Sequence, residues 1–235
     1  MILHNEPAFD IFYKFIFVLL YLGIFHTCFL FLNLFSNIKL RNKTIWFFLH
    51  FIGNMLVVIC SIPYIYMFLS NLPYHLQYPV YQYDTTIIAV AIHIYHILFF
   101  NLNYDDIFHH FYFVFIGLII QYLHNLGYLL ALYHFFVTGF PGGIDYLILF
   151  LVDIGIYTKQ KRLRIASFLN IWIRSPGILF SFAFCIVIFS YNQLNFINCL
   201  YLLIDSFVCY YNAQLYLKLI VEKNAIVNNQ YHRLY

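Results

Sequence analysis

Residues 11–34 of the chain read IFYKFIFVLLYLGIFHTCFLFLNL, an apolar run that is uncharged after Lys14. A membrane-spanning helix needs about 20 mostly apolar residues, so this run is long enough to cross a bilayer. The whole chain has a similar composition: 64% of its residues are hydrophobic, 9% are charged, and the mean hydropathy is +0.81. Soluble domains have about 25% charged residues. The sequence therefore predicts an all-α integral membrane protein, because a helix satisfies its own backbone hydrogen bonds in lipid.

Several further segments have the length and composition of spans. The predicted ones are residues 45–69, 85–103, 107–124, 125–140, 176–191 and 194–217. A shorter stretch, residues 144–157, follows Pro141-Gly142-Gly143, which we expect to break the helix. This stretch is either an eighth span or a short re-entrant or interfacial helix. The Pro-Gly-Gly sequence is either a plain turn or a flexible segment that shapes the mouth of a cavity.

The positions of the basic residues favour seven spans over eight. They cluster in three places, which are residues 39–43, residues 159–164, and the tail with Lys218, Lys223 and Arg233. Seven spans put all three on the cytosolic side, with a lumenal N-terminus, whereas eight would leave the loop at residues 159–164 outside. We therefore expect one domain, residues 1–235, in the endoplasmic reticulum or another endomembrane.

Histidines and aspartates within the apolar sequence are the candidate functional residues, because ionisable groups at membrane depth are costly. Asp105 and Asp106 each precede a histidine of the pair His109-His110 by four residues. On a helix this spacing lets each carboxylate bond an imidazole and fix its tautomer, which suits a general base or a nucleophile. We predict these four residues to be catalytic and place His110 first among them.

A second set of polar residues is predicted to meet this pair and bind substrate. The set is His93, His96, His124, His134 and Asp205. Alternatives without chemistry stay open for some of them: His93 and His96 could make interhelical hydrogen bonds, and His124 could lie at the headgroup level. The Asp-His spacing could likewise serve only to cap a helix.

Metal and cofactor sites are not favoured by the spacing of these residues. Membrane di-iron enzymes carry several HxxxH and HxxHH boxes, which His93-x-x-His96 and His109-His110 match only in part. A single zinc ion is compatible with the ligand types, but the spacing does not demand one. We expect no resident cofactor, and acyl-CoA would enter as a substrate. The net charge of +3 is too small to indicate a nucleic-acid partner, so the expected partners are membrane lipids.

Through His93-Ile-Tyr-His96 and Asp105-Asp106-Ile-Phe-His109-His110, the chain resembles the TLC superfamily, which includes the ceramide synthases. The resemblance covers about residues 39–218 and implies a helical membrane core with a double histidine at the start of a span. It also implies acyl transfer from acyl-CoA to an amine at that pair. Ceramide synthases follow the pair with a downstream His-Asp and a second Asp, which His124 and Asp145 match only loosely.

These patterns lead to a multi-pass membrane protein of lipid metabolism as the favoured hypothesis. Its intramembrane cavity would take a lipid or an acyl chain, and acyl transfer is the favoured reaction. A non-catalytic lipid-binding, transport or membrane-homeostasis protein on the same fold is the alternative. A proton-coupled transporter is a weaker third hypothesis, because we find no inverted repeats in the sequence.

Overall fold

The computed structural model describes residues 8–35, 40–77, 80, 82–116, 127–192 and 196–232. Within these ranges the regular structure is helical and contains no strand. The α-helices are α1 (Ala8–Phe35), α2 (Asn42–Ser70), α3 (Leu72–Gln77), α4 (Asp84–Phe99), α5 (Tyr104–His109), α6 (Tyr128–His134), α7 (Phe140–Asp153), α8 (Lys159–Leu169), α9 (Ser175–Asn192) and α10 (Phe196–His232). Three π-helical segments adjoin them: π1 (His110–Ile116), π2 (Phe135–Gly139) and π3 (Asn170–Arg174).

Four of the described helical stretches are long and apolar enough to cross a membrane. They are Phe9–Phe35, Asn42–Ser70, Tyr128–Asp153 and Lys159–Val187. The 16-residue helix α4 is apolar but shorter. The prediction of an all-α chain with membrane-spanning helices is therefore confirmed for these four stretches.

The prediction of a helix break at Pro141-Gly142-Gly143 is wrong. Helices α6 and α7 join through π2 into the single stretch Tyr128–Asp153. In π2 the Phe140 N–H donates to the Phe135 carbonyl five residues earlier, and Pro141 follows in the first turn of α7. Inside a continuous helix a proline removes one backbone hydrogen bond, and the wider turn of π2 accommodates this here. The segments expected on either side of the break therefore form one helix.

The two glycines after Pro141 serve the packing of α7 against α2. A Cβ added to Gly142 would lie 2.9 Å from Nδ2 of Asn54, and one added to Gly143 would lie 3.2 Å from Sδ of Met55. Small residues allow helix backbones to approach closely in membranes, where the hydrophobic effect does not drive helices together. The Pro-Gly-Gly sequence thus holds α7 against α2.

The first span lies at the periphery of the bundle. In its most apolar window, Phe9–Phe35 is 11% buried, whereas Asn42–Ser70 is 56% buried and lies at the centre of the bundle. Leu49 and Val57 of α2 are fully buried in a core cluster that also contains Leu22 of α1 and Ile92 of α4. Helix α2 therefore packs against α1, α4 and the long helix Tyr128–Asp153.

Ion pairs show which helix ends lie together. Arg41 and Thr44, at the start of α2, both bond the Asp153 carboxylate at the end of α7. Residues 159–164, expected to be a loop, instead begin α8, whose first turn is capped when the Thr158 hydroxyl accepts the Lys161 N–H. The start of α8 follows Asp153 after a short turn, so two of the three basic groups lie at one end of the bundle, here called the basic end.

We predict that Gly177→Ala destabilises the protein, because an added Cβ would lie 2.1 Å from Cδ1 of the Phe136 ring. Overpacking of this kind costs about 1–3 kcal/mol. Thermal unfolding in detergent should show a lower Tm than for the wild type. The matched control is Gly23→Ala, where an added Cβ has no atom within 4 Å. Equal Tm values for the two variants would contradict the packing described.

Candidate functional site: a histidine-lined cavity

Five imidazoles from three parts of the chain come together near the basic end. The histidine cluster consists of His50 of α2, His93 and His96 of α4, His109 at the end of α5, and His110 at the start of π1. Ring centroids are 5.1 Å apart for His93 and His110, 5.7 Å for His109 and His110, and 5.8 Å for His50 and His93. The structure thus joins four of the predicted site residues and adds His50.

The start of α5 positions the two consecutive histidines of this cluster. The Asn103 side chain accepts the Asp106 N–H at 2.9 Å, and the Asp106 carboxylate accepts the Asn103 N–H at 3.0 Å. This capping box satisfies two N–H groups that the start of a helix leaves without partners. Asp106 is thus a capping residue, which is the alternative role left open by its spacing. Asp105 lies in the first turn of α5, and its side chain is outside the described part of the structure.

His110 is held by another histidine and not by the predicted carboxylate. Nε2 of His110 lies 3.0 Å from Nδ1 of His96, at hydrogen-bond distance. The Trp46 ring stacks on His96 with centroids 3.8 Å apart and planes 14° apart, which fixes the orientation of that imidazole. His96 and His110 are both buried, with exposed fractions of 6% and 5%. His96 and His110 therefore form a buried, closely packed pair next to His109.

A cavity of about 340 Å³ begins at this cluster and extends between α2, α7, α8 and α10. His50, His93 and His109 line it, whereas His96 and His110 do not. His50 stacks on Tyr146 of α7, another lining residue, with ring centroids 3.8 Å apart. The volume falls in the range of about 300–1,000 Å³ that is typical of small-molecule sites.

The cationic side chain of Arg174 also lines the cavity. Arg174, in the last position of π3, donates from Nη1 to Oδ1 of Asn170 at 3.0 Å. Its Nε atom is buried and has no hydrogen-bond partner among the described residues. The Asp145 carboxylate, which lines the same cavity, is engaged by both Nε and Nη2 of Arg162 at 3.1 and 3.0 Å. Arg174 therefore retains the capacity to bind an anionic or carbonyl oxygen.

The cavity reaches the protein surface at the basic end. Arg162 and the exposed Lys223 line it there, and the two are called the basic rim below. Lys223 lies on α10, in the third group of basic residues noted in the sequence. Gly142 and Asp145 also line the cavity, so the Pro-Gly-Gly region does contribute to its wall, as a helix and not as a loop.

The remaining predicted site residues lie elsewhere or cannot be placed. Nδ1 of His134 is 3.0 Å from Oγ1 of Thr85, a contact that links α6 to α4, and neither residue lines the cavity. Asp205 belongs to α10, but its side chain is outside the described part of the structure. His124 lies outside the described residues altogether. His134 thus contributes to helix packing.

The cavity-lining residues His50, Asn54 and Arg174 were not predicted from the sequence as site residues. Trp46, His50 and Asn54 recur every four residues on α2, and this spacing would have indicated one polar and aromatic helix face. The partners of His50 lie on other helices, so the sequence around it does not reveal them. Arg174 could have been identified as a charged residue within the apolar run Ile171-Trp172-Ile173-Arg174.

Comparisons of the chain with protein-family models, with curated proteins and with solved structures gave no match. The resemblance to the TLC superfamily therefore stays a prediction from short motifs. What the cavity does is inferred below from its own side chains and their geometry.

We predict that Arg174→Met raises the thermal stability, because a charge in a membrane segment is costly and no carboxylate of the described residues is bonded to this one. Replacing buried ionic groups by apolar ones of similar size is often stabilising by about 1–4 kcal/mol. Thermal unfolding in detergent measures the change. Arg164→Met, at an exposed position of α8, is the control and should stay within about 0.5 kcal/mol of the wild type. A lower Tm for Arg174→Met would show that Arg174 is a structural residue.

Proposed function

We propose that this protein is a multi-pass membrane enzyme of lipid metabolism that transfers an acyl group. One observation carries the proposal: the imidazoles of His93 and His109 and the guanidinium of Arg174 share one cavity inside an apolar helical bundle. The cavity offers a base and an oxygen-binding cation together, which is what acyl chemistry requires.

His109 is the residue to which we assign the general base, or the nucleophile. It lines the cavity, whereas His110, the residue favoured from the sequence, lies behind it against His96. As a base, His109 would accept the proton of a hydroxyl or amine that attacks the acyl carbonyl. It would then give that proton to the CoA thiolate, which leaves as the thioester bond breaks. His110 and His96 would hold it in place through their own rigid packing.

Arg174 would bind the oxygen on which negative charge develops, or the anionic group of the acyl donor. Charge-assisted bonds from a guanidinium are about twice as strong as neutral ones, and more so where water is excluded. The apolar side chains of Val137, Leu149 and Ile178 complete the wall and suit the first carbons of an acyl chain. The cavity would thus hold the polar end of a lipid.

The proposal includes seven spans around a TLC-like core, with the basic end in the cytosol. Helix α4, the helix that starts with α5, and α10 would be the three spans beyond the four apolar stretches. The basic rim of Arg162 and Lys223 would then face the cytosol, where acyl-CoA is an anionic, water-soluble donor. Attraction to this rim would raise its local concentration.

Labelling of an engineered cysteine tests this orientation. In a cysteine-free background, Lys161→Cys places a thiol at an exposed position of α8. We expect a membrane-impermeant maleimide to label it from the cytosolic side of sealed vesicles. Labelling from the lumenal side alone would exclude the proposed orientation.

One observation favours a second function, non-catalytic lipid binding on the same fold. The carboxylate of Asp106 caps α5 and makes no hydrogen bond to His110, so the predicted pairing of Asp106 with His110 is not formed. A binding protein would need the cavity and Arg174 but no activated imidazole. The enzyme assay below separates the two functions.

The proposed activity is tested with purified protein in lipid vesicles, given a long-chain acyl-CoA and a long-chain amine or alcohol. We expect acylated product from the wild type and a loss of about 10²–10⁴-fold in kcat for His109→Ala, the range for losing a general base. Arg174→Met should mainly raise KM for the acyl-CoA. His75→Ala, on α3 outside the cavity, should retain wild-type rates.

The outcomes distinguish the hypotheses. Full turnover by His109→Ala would refute the assigned base. The lipid-binding function is the correct one if the wild type forms no product but binds a fluorescent acyl lipid, and if Arg174→Met lowers the affinity for that lipid.

A further inference from the structure

We propose that His93, His109 and His110 together bind a divalent transition-metal ion of the zinc type. One ring nitrogen from each of the three residues lies within 4.8 Å of the other two. The three come from different elements, since His93 belongs to α4 while His109 and His110 end α5 and begin π1. This juxtaposition arises from tertiary packing, and the sequence spacing did not indicate it.

The separation of the nitrogens is close to that of a metal site. Zinc–nitrogen bonds are about 2.0–2.1 Å, so ligands in a tetrahedral site lie about 3.4 Å from one another. The observed separations are at most 4.8 Å, and histidine χ2 has a broad range of accessible angles. Ring rotations therefore suffice to close the site around an ion.

The hydrogen bond of His93 prepares it as a ligand. Its Nδ1 lies 2.7 Å from the Ala89 carbonyl, which can only accept, so Nδ1 carries the proton. In the neutral ring Nε2 then keeps its lone pair. Metal-binding histidines almost always donate their second N–H to a carbonyl, carboxylate or water in this way.

His110 has a similar arrangement with His96 as its partner. Nε2 of His110 bonds Nδ1 of His96, while Nδ1 of His110 is buried without a hydrogen-bond partner among the described residues. A buried polar atom of this kind is satisfied by an ion or by a water molecule. If Nε2–H of His110 donates to His96, Nδ1 has a lone pair for the metal. His96, fixed by its stacking on Trp46, would then orient the ligand.

The cavity determines what kind of metal site this would be. His93 and His109 line it, so a coordination position opposite the three rings would open into the cavity. Three protein ligands and one open position are typical of catalytic zinc, whereas structural sites are closed by four. Imidazole ligands without thiolate suit zinc, copper, iron and nickel.

The ion would deepen the proposed function, on which this step rests, by taking over the role given to His109. Once coordinated, that imidazole has no free lone pair to accept a proton, and a metal-bound hydroxide would accept it instead. Three neutral ligands leave the full charge on the ion, which polarises an acyl carbonyl oxygen at the open position. Together with Arg174 on the same wall, it would favour substrates with anionic or strongly polar oxygens. Metal binding by itself does not depend on the identity of the substrate.

The test uses the full chain, purified in detergent, stripped with a chelator and titrated with Zn²⁺ and with Co²⁺. We expect near-stoichiometric zinc by elemental analysis, a visible absorption band typical of tetrahedral Co²⁺, and a rise of Tm with zinc concentration. His93→Gln should abolish all three signals. His96→Gln should retain the site but weaken its affinity by about 10–100-fold, as expected for loss of a supporting partner.

His134→Gln is the matched control, because His134 is also buried but bonds Thr85 away from the cavity. It should bind zinc as tightly as the wild type. Equal metal content in the wild type and in a folded His93→Gln variant would overturn the proposal, as would metal-free wild-type protein after exposure to excess zinc. Acyl transfer that persists in metal-free protein would reject a catalytic role for the metal and keep the proposed enzyme activity. Stoichiometric zinc without any acyl transfer would keep the site and reject the proposed function.

Discussion

The close contact between α2 and the long helix Tyr128–Asp153 is the interaction on which the cavity depends. Gly142 and Gly143 have no side chains to hold the two helices apart, so Asn54 and Met55 lie directly against the α7 backbone. Stacking of His50 on Tyr146 extends the same contact toward the histidine cluster. In lipid, where water does not drive helices together, this close fit supplies the packing energy.

The polar residues of the bundle are distributed by a second constraint, the cost of leaving a polar group without a partner in an apolar surrounding. His93 satisfies it through the Ala89 carbonyl, His134 through Thr85, and the Asp106 carboxylate through the N–H of Asn103. Among the described residues, several buried polar atoms lack a hydrogen-bond partner, and those of Arg174 and His110 lie at or next to the cavity.

The π-helical segments show how the chain adapts regular helices to these demands. Segment π2 precedes Pro141 and lets one helix continue through it, while π3 ends at Arg174, the cation of the cavity. Segment π1 begins at His110, beside the histidine cluster. Such widened turns are often found at functional sites, and here two of the three adjoin the residues to which we assign chemistry.

By itself, the sequence determined the all-α class and the apolar composition of the four long helical stretches, because composition and helical spacing are local properties. It also predicted His93, His96, His109 and His110 as site residues, and the structure brings these four together. Only the tertiary structure decided that Asp106 caps α5, that His96 is the partner of His110, and that His50 and Arg174 join the site. These facts depend on distances between helices that are far apart in sequence, and helical periodicity carries no information on them. The sequence likewise did not show that the helix Tyr128–Asp153 continues through Pro141. A proline removes one backbone hydrogen bond, and only the structure shows that the wider turn of π2 accommodates it.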